Sequence, residues 1–152
     1  MSIRTPSFKT GQTAVAEYAK RLDGLDQKTL ALWAAACAEH VLPFFEVKHP
    51  ADDRPRKSIE AARAWARGKI RMPAARTAAF AAHAAARDSD CPAARAAARA
   101  AGHAAGTAHM PGHAVPAAAY AVTALAAATP GRAEAAAASE RDWQIAQLPG
   151  HP

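Results

Sequence analysis

Cysteine is almost missing from this chain: Cys37 and Cys91 are the only two among 152 residues. Two are too few for a disulfide-stapled secreted scaffold, and neither stands in a CxxC or Cys/His spacing that would hold structural zinc, so a reduced, cytoplasmic protein is expected. Aromatic residues are scarce as well, at 6%. Long apolar runs are also lacking, because Arg, His and Pro interrupt the alanine-rich stretches beyond Ala93 before about 20 apolar residues accumulate. No membrane span is expected. The stretch Met1-Ser2-Ile3-Arg4-Thr5-Pro6 has no apolar run that would make a signal peptide.

What the chain has is alanine, 47 residues of it. Alanine is the best helix former and a poor strand former, which predicts an all-α fold. The length suits one domain over residues 1–152, with a poorly defined N-terminal segment over 1–25 and a helical body over 26–149. The few large apolar side chains must do most of the burying while alanine fills the gaps, a thin but sufficient core.

Proline and short polar residues mark the helix starts. Asp26 is placed to cap a helix reaching Val41, with Leu30, Trp33, Ala34, Cys37 and Val41 on one face. Pro43 ends or kinks it. Further helices are expected from Pro55 to Gly68, Pro73 to Arg87, Pro92 to Met110, Val115 to Ala128 and Gly131 to Gln147, with a short one over Thr13 to Leu22. The sum is a compact bundle of five to six Pro-initiated helices. Trp143, Ile145 and Leu148 are expected to dock the last one on the core. No position-specific repeat recurs, which argues against a solenoid.

The net charge of +6 is local in origin. Arg54 to Arg99 holds eleven Lys or Arg and three acids, or +8, leaving the rest of the chain at −2. Few aromatic residues interleave with these arginines and no helix-turn-helix pattern is legible, which argues against nucleic acid as partner. Arg56, Arg63 and Arg67 form a basic helix face that could dock a protein.

The most informative stretch is Gly102-His103-Ala104-Ala105-Gly106-Thr107-Ala108-His109-Met110-Pro111-Gly112-His113. Gly102 and Gly106, one helical turn apart, let a neighbouring backbone or bound group come close, at a helix cost of about 1 kcal/mol each. His103 and Thr107 share the adjoining face and continue the Arg95, Arg99 stripe. His109 and His113 have the spacing of a helical metal pair, but Pro111 between them and the lack of a third ligand leave that reading weak, and no metal or cofactor is expected. His83, on the mixed face Arg76, Phe80, His83, Arg87, reads as structural. Cys91 sits at a helix start without an evident base, which favours an inert thiol.

The strings Leu32 to Pro43, Arg54 to Gly68, Gly102 to His113 and Glu140-Arg141-Asp142-Trp143-Gln144 together resemble the bacterial "putative immunity protein" family, in collinear order over residues 26–149. The resemblance implies an all-α domain and a protein that binds and blocks a cognate toxin made by the same cell. Partner-binding residues would then be His103, Gly106, Thr107, His109 and His113 together with Arg56, Arg63 and Arg67. The alternative is a small-molecule enzyme or ligand-binding protein whose His103, Thr107, His109 and His113 line a pocket as acid–base groups, since imidazole has both proton states near neutrality. An exposed alanine-rich face would also favour a homodimer.

Overall fold

The computed structural model describes residues 7–150. Among them the regular structure is helical throughout: α1 (Phe8–Ala16), α2 (Gln27–Val41), α3 (Pro43–Glu46), α4 (Arg54–Ala66), α5 (Met72–Arg87), α6 (Pro92–Gly106), α7 (Ala114–Ala127) and α8 (Ala133–Ala146), with 3₁₀ turns at Ala19–Leu22 and Pro111–His113. The punctuation works as its chemistry requires. Asp26 accepts a hydrogen bond from the Thr29 amide at 2.8 Å, and proline occupies the first turn of α3, α4, α5 and α6, where its missing N–H costs nothing.

Eight α-helices replace the five to six expected. Pro43 does not simply end α2: Leu42 keeps helical angles and Pro43 opens the one-turn α3, which buries Phe45. Near the N-terminus the short helix expected over Thr13 to Leu22 is instead α1 followed by a 3₁₀ turn, because the chain leaves the helical region at Tyr18 (φ −127°). Of the segment 1–25, residues 1–6 lie outside the described residues. Helix α6 stops at Gly106 rather than Met110, and the Gln27 side-chain amide donates to the freed carbonyls of Thr107 and Ala108 at 2.9 and 3.0 Å.

Helices α6 and α7 form the centre. Eleven of the fifteen residues of α6 are buried, every one of them alanine or glycine. Around this pair, α2 contributes Trp33, Cys37 and Val41, α1 contributes Val15, and α4 contributes Ile59, all buried. The stripe expected on α2 is the face it buries. Helix α5 packs chiefly on α4 and α6, so it sits at the edge of the bundle with one face open.

A core of small side chains brings backbones together. Helix α1 crosses α7 at Gly11, where an added Cβ would lie 1.8 Å from the Ala119 carbonyl oxygen and 2.7 Å from Thr123 Oγ1. The obstacle is backbone and cannot rotate away. Gly11→Ala should therefore destabilise the protein by roughly 1–3 kcal/mol despite alanine's helix advantage of about 1 kcal/mol. A urea unfolding midpoint equal to that of the wild type would refute this crossing.

Candidate functional site

Helix α6 presents Arg99 and His103 on one side, and α5, the turn before α7 and α7 itself bring further rings against them. His103 Nδ1 lies 2.8 Å from His113 Nδ1, so one nitrogen donates and the other accepts. The His103 ring stacks on Tyr120 (centroids 5.4 Å, 12° between planes), and Tyr120 in turn stacks on Phe8 at 4.1 Å. His83 approaches His103 edge to face at 4.8 Å, while Arg99 Nη1 donates to His83 Nδ1 at 3.0 Å. Three histidines and two aromatic rings thus tie α1, α5, α6 and α7 together.

The two glycines make this stack possible. A Cβ on Gly102 would meet the His83 ring at 2.6 Å, and one on Gly106 would meet His113 at 3.0 Å. The close neighbour they admit is an imidazole of the chain itself. Electrostatics follow from the same packing. Burial, with Arg99 and His113 nearby, holds His83 down at about 4, and burial with His83 and His113 holds His103 at about 3. His113 is lowered for the same first reason, with His109 adding to it. At neutral pH the three imidazoles are uncharged; the Nδ1–Nδ1 hydrogen bond itself requires only that the accepting one of His103 and His113 be neutral, and the donation from Arg99 requires an unprotonated His83 Nδ1.

The structure gathers some of the residues singled out in the sequence and separates others. His103, His113, Gly102 and Gly106 meet. Thr107 is buried, but its hydroxyl turns back to the His103 carbonyl at 3.0 Å. His109 is exposed, its ring 5.8 Å from that of His113. Because α6 has ended before His109, the i, i+4 spacing of His109 and His113 is not a helical one, and no group of three or more His, Cys, Asp or Glu among the described residues could hold a metal ion. Two of the clefts on the described surface are well formed. One of about 720 Å³ runs between α1 and α8 beside Lys9, Glu17, Glu134 and Arg141, and an apolar one of about 370 Å³ lies beside Phe44, Val47 and Cys91. Neither is lined by the histidines. On the basic face, Arg56 forks onto Glu46 (2.6 and 2.7 Å) and Arg63 onto Glu39 (2.7 and 3.1 Å), whereas Arg67 is exposed and in no ion pair among the described residues.

A second polar cluster escaped the sequence reading. Of the three residues expected to dock α8, Leu148 is buried, Ile145 is half-buried and packs against the core, and Trp143 is half-buried against His40 of α2; the fully buried face of α8 is Ala137, Glu140 and Gln144. Both Glu140 carboxylate oxygens contact His40 Nδ1, at 2.7 and 2.9 Å, and the His40 ring lies flat on Trp143 at 3.7 Å. Gln144 accepts from the Tyr18 hydroxyl, donates to the Ala118 carbonyl at 2.9 Å, and its own carbonyl accepts from Trp33 Nε1 at 3.0 Å. Burial raises Glu140, with the His40 hydrogen bond acting against it. The 137, 140, 144, 148 spacing was the available signal, obscured because its middle members are polar. No buried side-chain nitrogen or oxygen among the described residues lacks a partner.

These features define an all-α bundle whose histidine segment is built into its helix contacts. A family model described as Imm-5 like putative immunity protein matches residues 20–151, and the chain belongs to that family. The match spans all four strings on which the resemblance stands. No curated protein and no solved structure matches the chain. No helix among the described residues is long and apolar enough to cross a membrane.

Two outcomes follow. The depressed histidines bind fewer protons folded than unfolded, where imidazole titrates near 6.5, so their contribution is complete above about pH 6.5 and falls as pH drops toward about 4. Glu140, raised by burial, acts in the opposite sense, so the diagnostic is a comparison: His103→Gln should flatten the loss of urea stability between pH 6.5 and 4.5 that the wild type shows, and equal slopes would refute the assignment. His40→Ala should cost about 2 kcal/mol by leaving the Glu140 carboxylate buried without its partner, below the full buried-pair value because His40 is 39% exposed. Thermal unfolding reads that loss, and an unshifted Tm would remove His40 from the support of Glu140.

Proposed function

We propose that this protein is an immunity-type binding protein that captures a cognate toxin and blocks it by occupying its surface. Family membership supports the general reading. The observation that carries the choice of binding over catalysis is the state of the histidine segment. His103 is closed on His113, Tyr120 and His83, it is uncharged at neutral pH, and neither cleft opens onto it. An acid–base catalyst works best with a pKa near the working pH and needs a substrate cleft beside it; burial holds His103 well below neutrality, and the two clefts described lie elsewhere. The polar residues of Gly102 to His113 act, in this reading, as the internal frame that keeps the outer surface in shape for its partner.

The test is co-expression with the toxin domain encoded beside its gene, in a host that the toxin kills, together with affinity capture of that domain from mixed pure proteins. Rescue of growth and a stoichiometric complex are the expected outcomes. Growth arrest that persists when the chain is present in excess, without capture, would overturn the reading.

A further inference from the structure

From Arg63 to Arg87 the sequence holds six Lys or Arg and no acid. Arg63 is taken up by Glu39, while Arg67, Lys69, Arg71, Arg76 and Arg87 are in no ion pair among the described residues. Four of those five flank one rigid turn. Helix α4 ends with Gly68 at φ +74°, the Lys69 amide donating to the Ala64 carbonyl at 2.8 Å and the Gly68 amide to the Trp65 carbonyl at 3.0 Å. This paired closure is a Schellman turn, which glycine alone adopts without strain. Arg67 caps α4, Lys69 follows the glycine, Arg71 precedes α5, and Arg76 stands in its second turn, all four exposed.

One turn beyond Arg76 is Phe80, 60% exposed, with the Arg76 guanidinium 5.6 Å from its ring centre. Helix α5 is the edge helix, packing chiefly on α4 and α6, and Phe80 on its outer face is left exposed among the described residues. Like charges crowded on a fixed turn repel one another and gain from an acidic surface brought against them. Because the turn is already ordered by backbone hydrogen bonds, docking on it loses little backbone conformational entropy. Aromatic residues and arginine are also the types in which protein interfaces are enriched relative to the rest of the surface.

We infer that the α4–α5 corner, Arg67, Lys69, Arg71 and Arg76 with Phe80 as its apolar anchor, is the docking surface for an acidic face of a partner protein. This rests on the immunity reading, under which the partner is the toxin. A nucleic acid fits the corner less well, since the charges gather at one turn instead of along a groove and Phe80 stands as a single ring with no succession of stacking platforms. Arg56 and Arg63 lie outside the surface because they already hold Glu46 and Glu39.

The experiment is calorimetric titration with the toxin domain encoded beside the gene, at about 0.05 M and about 0.3 M salt, using wild type, the triple variant R67E/K69E/R71E and Phe80→Ala, with a mixed-sequence DNA duplex as a second probe. The triple variant is expected to bind at least about tenfold more weakly with unchanged helicity, and wild-type affinity to fall with salt. Phe80→Ala should weaken binding while leaving the salt dependence as it was. Should the triple variant lose helicity, R76E/F80A on the outer face of α5 carries the same test. Equal binding by wild type and variant would overturn the corner while leaving the immunity reading intact. A wild type that binds no toxin would overturn both, and tight DNA binding lost in the triple variant would replace the protein partner with a polyanion.

Discussion

The structure depends on how closely its two central helices let their neighbours approach. A core built from alanine and glycine has little side-chain bulk to hold helices apart, so backbones and rings meet where larger residues would have intervened. Gly11 seats α1 directly on the Ala119 carbonyl, and Gly102 and Gly106 each carry an imidazole ring. Such contacts are unforgiving of added volume, because the opposing atoms are backbone or rings fixed by other hydrogen bonds. The same closeness lets alanine, which buries little area per residue, produce a continuous core reaching from Val15 to Leu148.

Between these close-packed helices the large polar groups must be either neutral or paired. His83, His103 and His113 take the first course: desolvation disfavours the imidazolium, and stacking on Tyr120 suits a flat neutral ring. Glu140 takes the second, with His40 bonded to both of its oxygens. One cluster joins α5 and α6 to α7 and α1, and the other joins α2 to α8. His83, His103 and His113 on one side and the His40–Glu140 pair on the other are polar joints between helices of the bundle.

That distribution bears on function. With His83, His103 and His113 engaged between helices, charge is prominent on the outer surface, and pairing divides that charge into two kinds. Arg54, Arg56, Arg63 and Arg141 stitch helices or loops together through carboxylates. The arginines and lysine around Gly68 are in no ion pair among the described residues, and exposed cations beside an ordered turn at the edge of a bundle are free to meet a complementary surface.

Composition and punctuation were enough to read the helical class, the Asp26 cap, the proline starts and the buried stripe of α2, because these rest on local propensity and on a periodicity within one helix. They were enough, too, to single out Gly102 to His113 as unusual against alanine. What they could not disclose is what each unusual residue faces. That Gly102 admits His83 from α5 rather than a ligand, that His109 leaves the cluster while His83 joins it, and that Glu140 lies beneath His40 one hundred residues earlier are matters of helix crossing and register. The sequence by itself determined the helices and the residues that would be costly among them. Only the tertiary structure decided which were partners, because a short side chain's contacts are set by the distance and angle between helices and not by its place along one.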